Sequence, residues 1–314
     1  MVEIDPETSV VLAMATYRRP DHVRRIVPLL VEQAATVPGQ VRVVIVDNDP
    51  DGTAAEVVQT WVPAGVEYLH EPRPGIAAAR NRALAAAEQD DLLVFIDDDE
   101  EPAADWLRTL VLAWSEWRCA AVAGPVQARF EQEPDPWVLA CGVFDRVLRP
   151  TGMSLRGAAS NNLLLDLSRL RALDLRFDDR FGLSGGSDTM LTHRLIQCGE
   201  QIRWCAEALV HDLIPADRST RSWIQRRVRR TSNSWTRVRL VIAAGSTPGW
   251  RIRGELLLRG GHRFGRGALR WARGAATRRL GPRARGVCEM MEGIGVLTGV
   301  FGAVRSEYLR PPSA

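Results

Sequence analysis

The 314-residue chain contains no lysine, so all 41 of its basic side chains are arginine. That absence excludes chemistry that needs a Schiff-base lysine, and it excludes a P-loop lysine on a nucleotide phosphate. Paired cysteines are missing too. Cys119, Cys141, Cys198, Cys205 and Cys288 are scattered, odd in number and without a C-x-x-C pair. A disulfide framework or zinc cluster is therefore not expected, and a reducing cytosol fits. Long apolar runs are absent: the longest uncharged one, "GIGVLTGVFGAV" (293–304), has twelve residues, whereas a bilayer span needs roughly 20. The opening "MVEIDPETSV" is acidic and lacks a basic-then-apolar order, so no signal peptide is expected. A cytoplasmic protein is the reading that follows.

Acidic residues nearly vanish from one stretch. Residues 217–285 hold 19 Arg and 2 acids (+17), against 20 Arg and 33 Asp or Glu (−13) in residues 1–216. Residues 286–314 are close to neutral, with 2 Arg and 3 acids. Two regions with different tasks are expected, 1–216 and 217–314.

The first region alternates strand and helix signals. "SVVLAMAT", "VRVVIVDND", "VEYLHE" and "DLLVFI" are short β-branched-rich apolar runs that read as buried strands. Between them lie an amphipathic stretch opened by Pro20 and Asp21, a helix over "TAAEVVQTWV", and a strong helix former, "IAAARNRALAAAEQ". "PAADWLRTLVLAWSEW" predicts a further helix and "AAVAGPVQARF" a further strand. This pitch implies βαβ units and a largely parallel sheet covered on both faces. Residues 131–160, punctuated by Pro and Gly, give no clear assignment. From Asp217 onward the pattern is Arg-rich helix interrupted by glycine breaks.

Ligands of such sheets sit beyond the carboxyl ends of the strands. Three polar groups fall there: Thr16-Tyr17-Arg18, Asp47-Asn48-Asp49 and Asp97-Asp98-Asp99. The last follows a buried strand directly and continues into Glu100 and Glu101. Carboxylates crowded at a strand tip repel, unless a hard divalent cation such as Mg²⁺ or Mn²⁺ sits among them; a solvated acidic strand end is the alternative. Asp47 suits either a nucleotide contact or a helix N-cap. Arg80 suits a phosphate or base clamp, or an exposed helix surface. In "FGLSGGSDTMLTHRL", Gly182, Gly185 and Gly186 allow positive φ angles and close approach to a ligand. Asp188 just after them is either a general base or a first-turn acid favoured by the helix dipole. His211 follows the strand-like "EALVH", and a structural histidine there is equally open.

Together, "VVLAMATYRRPDHV", "VVIVDND", "EPRPGIAAARNRAL", "VFIDDDEEPAADWL" and "FGLSGGSDTMLTHRLIQCGEQIRW" resemble the glycosyltransferase family 2 enzymes in order and spacing over about residues 8–215. The branch that builds bacterial exopolysaccharides such as succinoglycan is the most similar. The resemblance implies an α/β GT-A sandwich, a nucleoside-diphosphate sugar donor, an acceptor hydroxyl, a divalent metal and inversion at the anomeric centre. It implies that Thr16, Tyr17 and Arg18 line the nucleotide pocket, that Asp47 binds the base and that Arg80 lies over the nucleotide. Asp97 and Asp99 would form the D-x-D motif, Asp97 nearer the ribose and Asp99 on the metal, with Asp98 the variable middle residue. Asp188 would be the general base, and His211 matches a position that supplies a further metal ligand in some GT-A enzymes. One departure stands out: Ser187 replaces the Glu that commonly precedes the base.

The region 217–285 interleaves its arginines with Trp223, Trp235, Trp250 and Trp271, a composition suited to an anionic membrane surface or to a solvated appendage packed on the acidic domain. No nucleic acid motif accompanies the basic tail, so a nucleic acid partner is not expected. A sugar-1-phosphate nucleotidyltransferase would share a related sandwich, but "MATYRRP" lacks the glycines of its N-terminal loop.

Overall fold

The computed structural model describes residues 3–145, 149–244 and 247–304. The chain runs β1 (Ser9–Thr16), α1 (Pro20–Ala35), β2 (Gln40–Asp47), α2 (Ala55–Gln59), β3 (Val66–His70), α3 (Ile76–Ala86), β4 (Leu92–Asp97) and β5 (Glu100–Pro102). It continues through α4 (Trp106–Trp117), β6 (Ala121–Ala123), β7 (Val126–Phe130), α5 (Pro136–Ala140), β8 (Asn162–Asp166) and α6 (Leu167–Ala172). Then come α7 (Ser187–Gln197), β9 (Ile202–Trp204), β10 (Val210–Ile214), α8 (Arg221–Ala243), α9 (Gly249–Ala276) and α10 (Leu280–Val300). The main sheet has the order β3-β2-β1-β4-β8-β6-β9, and a small sheet has the order β5-β10-β7.

The continuous apolar strands are explained by burial on both faces. Along β1, Val10, Leu12 and Met14 pack with residues of α1 and α4. Val11 and Ala13 face the opposite way, onto α3, α6 and α7. The result is a three-layer αβα sandwich. Strands β1, β2, β3 and β4 are parallel, as expected, so their carboxyl ends share one rim.

Four expectations need correction. β8 was not anticipated; it is antiparallel to both β4 and β6 and separates the parallel strands β3-β2-β1-β4 from the pair β6-β9. The run "AAVAGPVQARF" is two strands in two different sheets, broken at Gly124-Pro125. The break is a close approach: a Cβ on Gly124 would lie 2.1 Å from the Ala208 carbonyl oxygen. Buried Asn162 pins this crossing by donating to the carbonyls of Pro125 and Ala208 at 2.9 and 2.8 Å, while Trp106 Nε1 donates to its Oδ1. The helix expected over "TAAEVVQTWV" shrinks to the five residues of α2, followed by a 3-10 turn at Val62–Ala64. Glycine does not break the basic helices either. α9 runs unbroken for 28 residues, and its Gly267 faces Gly286 of α10 so closely that a Cβ at Gly267 would lie 2.7 Å from the Gly286 carbonyl oxygen. Each helical glycine costs roughly 1 kcal/mol relative to alanine. Here that cost is the condition for two backbones to touch.

The C-terminal helices are docked on the sandwich. Ser234 of α8 donates to the Ser184 carbonyl at 2.7 Å, and Val238 packs with Phe181 and Met190. Among the described residues no helix is long and apolar enough to cross a membrane.

Candidate active site

Strand β4 stops at Asp97, the chain turns at Asp98-Asp99, and β5 leaves at Glu100. The turn is tied back on itself, because the Asp97 amide donates to the Glu100 carboxylate at 3.1 Å. Glu100 is buried, accepts from Asn161 at 2.6 Å and stands opposite Asp212 in the β5–β10 pairing. Burial pushes Glu100 well above the usual carboxylate range, and Asp97, Asp99 and Asp212 add to that. Burial likewise raises Asp97 from 3.8 to about 7; the Arg80 charge opposes the rise, and Asp99, Asp98 and Asp212 reinforce it. Five acids from β4, the turn, β5 and β10 thus share one field.

This crowding has a measurable consequence. Asp97 has a folded pKa above its unfolded value. Its contribution to stability is therefore complete below about pH 4 and is lost as pH rises through about 7. Each pKa unit corresponds to roughly 1.4 kcal/mol, so the window spans at most about 4 kcal/mol. Asp97→Asn should raise the melting temperature of the metal-free protein more at pH 8 than at pH 5. Melting curves at both pH values check this; an equal effect at both would remove the crowding argument.

The remaining expected residues are placed as follows. Thr16 is buried and donates to Asp98 Oδ2 at 2.8 Å. Asp98, no free middle residue, is buried and also accepts from Arg19 at 2.6 Å. Arg18 adopts φ +54° and binds Asp49 and Asp51 at 3.1 Å each, with its guanidinium 5.5 Å from the Tyr17 ring centre. Asp47 is fully buried; its Oδ1 accepts from the Asp49 amide and its Oδ2 from the Ala54 amide and the Tyr68 hydroxyl. Burial, then the Asp47 charge, pushes the Tyr68 phenol up, which keeps it a donor. Asp47 therefore holds the loop beneath the rim and spends its lone pairs there, close to the helix-start alternative. Asn48 extends this scaffold, clasping the Glu71 and Arg73 carbonyls and the Gly75 amide.

Arg80 joins the two halves of the site. It is buried on α3, donates to Ser187 Oγ at 3.2 Å, lies over the Phe177 ring and acts on Asp97 by charge. Ser187 and Asp188 begin α7 beside the glycine loop, in which Gly185 and Gly186 take φ +76° and +103° while Gly182 is helical. The Asp188 carboxylate accepts from the Thr189 amide and stays part-exposed. The loop is gripped from both sides: the Ile76 amide donates to the Gly182 carbonyl at 3.0 Å, and α8 holds Ser184.

His211 is not among the crowded acids. It pairs with Glu101 and Gln127, and alternation along β10 turns its side chain away from the face on which Asp212 meets Glu100 and Asp97. The polar residue that β10 gives to the site is Asp212.

Besides Asp212, sequence reasoning passed over three contributors. Arg19 binds Asp98 at 2.6 Å and Asp99 at 3.2 Å. Arg218, 119 residues away in sequence, binds Asp99 at 2.5 Å. Glu100 anchors the turn. Arg19 and Glu100 were visible inside the quoted motifs, but nothing in the sequence links Arg218 to Asp99.

A divalent cation fits this site on its chemistry: hard carboxylate oxygens are gathered here, and their mutual repulsion is what a cation relieves. Among the described residues no three His, Cys, Asp or Glu side chains stand ready as a complete cage. One or two carboxylates are enough where substrate phosphates complete the shell.

A three-layer α/β sandwich with an acid-rich turn at the rim of its parallel strands is the nucleotide-sugar transferase architecture called GT-A. The fold comparison agrees. The crystal structure of S. aureus TarS 1-349 in complex with UDP superposes with a TM-score of 0.53 at 11% identity, over 93% of this chain and 90% of that one. GalNAc-T7 crystallised with UDP, GalNAc and Mn²⁺ gives 0.51 at 14% identity, over 77% and 52%. The glycosyl transferase family 2 model matches residues 11–156. The succinoglycan biosynthesis protein ExoM of Rhizobium meliloti (strain 1021) is 31% identical over 247 residues, 77% of this chain and 78% of the relative. The chain belongs to glycosyltransferase family 2, and it is a glycosyltransferase.

Proposed function

We propose that the enzyme transfers a sugar from a nucleoside-diphosphate sugar to a hydroxyl of a growing exopolysaccharide or related acceptor, with inversion, at the cytoplasmic face of a membrane. The observation that supports this reading is buried Arg80, which donates to Ser187 next to Asp188 and acts by charge on Asp97 of the acid-rich turn. Thr16, Tyr17, Arg18, Asp97 and Asp98 line the nucleotide side, and Asp47 holds the floor beneath them. Asp99 is the residue that would hold Mg²⁺ or Mn²⁺, and such a cation would supply charge neutralisation for the leaving diphosphate.

Asp188 takes the proton of the acceptor hydroxyl as its oxygen bonds to the anomeric carbon and the bond to the diphosphate breaks on the opposite face. Arg19 and Arg218, held by Asp98 and Asp99, are within reach of the same negative charge as it develops. Ser187 keeps Arg80 in place where a Glu would have offered the acceptor a carboxylate. The basic region 217–285 is assigned to an anionic membrane surface.

The experiment is incubation with Mn²⁺ and a panel of nucleoside-diphosphate sugars, with the nucleotide product identified. Release of nucleoside diphosphate is the expected outcome. Formation of pyrophosphate from a sugar phosphate and a nucleoside triphosphate would overturn the reading in favour of a nucleotidyltransferase.

A further inference from the structure

We infer that the outer face of α9 is the surface that docks on anionic lipid, an assignment that rests on the membrane reading of residues 217–285 and names the face responsible. Of the four tryptophans in this region, two are spent inside the protein. Trp223 stacks on Phe144 with ring centres 6.5 Å apart, and Trp235 packs, like Leu240 and Leu257, against the cluster of Ala243, Ile252, Leu256, Val296 and Val300 and lies beneath Arg239 and Arg259. The other two stand on α9 and face solvent, Trp250 at 72% and Trp271 at 44% exposure.

The helix has two faces. Its inner face buries Ile252, Leu256, Gly260, Gly267 and Gly274. On the opposite side Trp250, Leu258 and Leu269 follow at helical spacing with Gly254, Gly261 and Gly265 between them, so that no charge interrupts the stripe. This stripe is about 29 Å long at the rise of an α-helix. Leu258 is 78% exposed and Leu269 55%, and what sets them apart from singly scattered surface leucines is that they share one row with Trp250. One border carries Arg251, His262 and Arg273 together with the acid Glu255; the other carries Phe264 and Trp271, both exposed. Apolar side chains in the centre, aromatics at an edge and arginines alongside are the layout of a helix lying in the plane of a lipid interface.

Charge selects the occupant. α9 carries seven arginines and one glutamate. Some of that charge is neutralised on the inner side, where Arg263 binds Glu292, and Arg266 and Arg270 bind Glu289. Arg251 and Arg273 form no ion pair with a carboxylate among the described residues. A second copy of this face would bring like charges together, whereas anionic headgroups answer the arginines while acyl chains receive Leu258 and Leu269. Insertion would place the helix flat and leave the sandwich, docked through α8, in the aqueous phase.

Co-sedimentation of the full chain with phosphatidylglycerol-containing and with pure phosphatidylcholine vesicles tests this. The expected result is binding to the anionic vesicles alone, weakening steeply with salt because surface charge is screened within about 8 Å at physiological ionic strength. Leu258→Asp with Leu269→Asp should lower the bound fraction at least tenfold, and Arg251→Gln with Arg273→Gln should lower it several-fold. Melting temperature and nucleoside-diphosphate binding should stay unchanged in both, which separates loss of docking from loss of fold. If the unaltered protein stays in the supernatant with anionic vesicles at low salt, the membrane reading itself fails. If it binds but the leucine pair behaves as the unaltered protein does, only the assignment to α9 fails. A dimer seen by light scattering and dispersed by the leucine pair would assign the stripe to a second copy and overturn the proposal.

Discussion

Asp188→Asn is expected to lower kcat by roughly 10²–10⁴-fold, the usual worth of a positioned general base, while donor affinity changes little. The amide matches the carboxylate in size and polarity and can keep the acceptor bond from the Thr189 amide, so α7 should start as before. What it cannot do is take the proton of the acceptor hydroxyl. Asp188 is part-exposed beside a glycine loop that is fixed by Gly182 on one side and Ser184 on the other, so the position combines access with rigidity. Steady-state kinetics with calorimetric donor binding separates the roles. A fall in donor affinity proportionate to the fall in turnover would mark Asp188 as a helix-start residue and remove it from the mechanism.

Asp99→Ala should abolish the metal dependence of nucleoside-diphosphate binding, with a loss of affinity in Mn²⁺ of at least about tenfold, which corresponds to roughly 1.4 kcal/mol. Asp99 is the acid of the turn that Arg19 and Arg218 both hold. Removing it takes away the oxygen proposed for the cation and leaves two guanidinium groups without that partner, free to meet the diphosphate directly. The variant should therefore retain some binding, now indifferent to chelator. Calorimetry with Mn²⁺ and with EDTA measures both quantities; the same ratio of affinities in variant and unaltered protein would transfer the metal role to another carboxylate.

The parallel strands and the acids at their tips were legible because both are local. β-branched runs that must be buried on two faces admit few other structures, and Asp97-Asp98-Asp99 directly follow one of them. β8 was not legible: "NLLLD" directly follows the unassigned, Pro- and Gly-punctuated stretch 131–160, and its antiparallel direction depends on where the chain re-enters the sheet. The single strand expected over 120–130 failed for a similar reason, since only the approach of the Ala208 carbonyl shows that Gly124 ends one strand and frees the next for another sheet.

Which polar residue of β10 faces the site was also beyond local pattern. His211 and Asp212 are adjacent and point to opposite faces, and the choice between them is set by the pairing of Asp212 with Glu100. Asp47 illustrates a subtler limit: its position at the strand end was correct, but full enclosure by the amides of Asp49 and Ala54 is a property of the folded loop.

By itself, the sequence determined the αβα class, the rim that gathers the polar strand ends, the run of aspartates closing β4, the glycine loop before Asp188 and the concentration of positive charge after residue 216. Each of these follows from residue type and short-range order. The tertiary structure alone decided that Arg218 reaches Asp99, that Arg80 ties Ser187 to the aspartate field, that α8 braces the glycine loop before Asp188, and that only part of the basic region faces outward. These are contacts between segments up to 119 residues apart. Chain-distant side chains carry no mutual pattern in sequence, because their meeting is enforced by the packing of the layers between them and by no property of either residue.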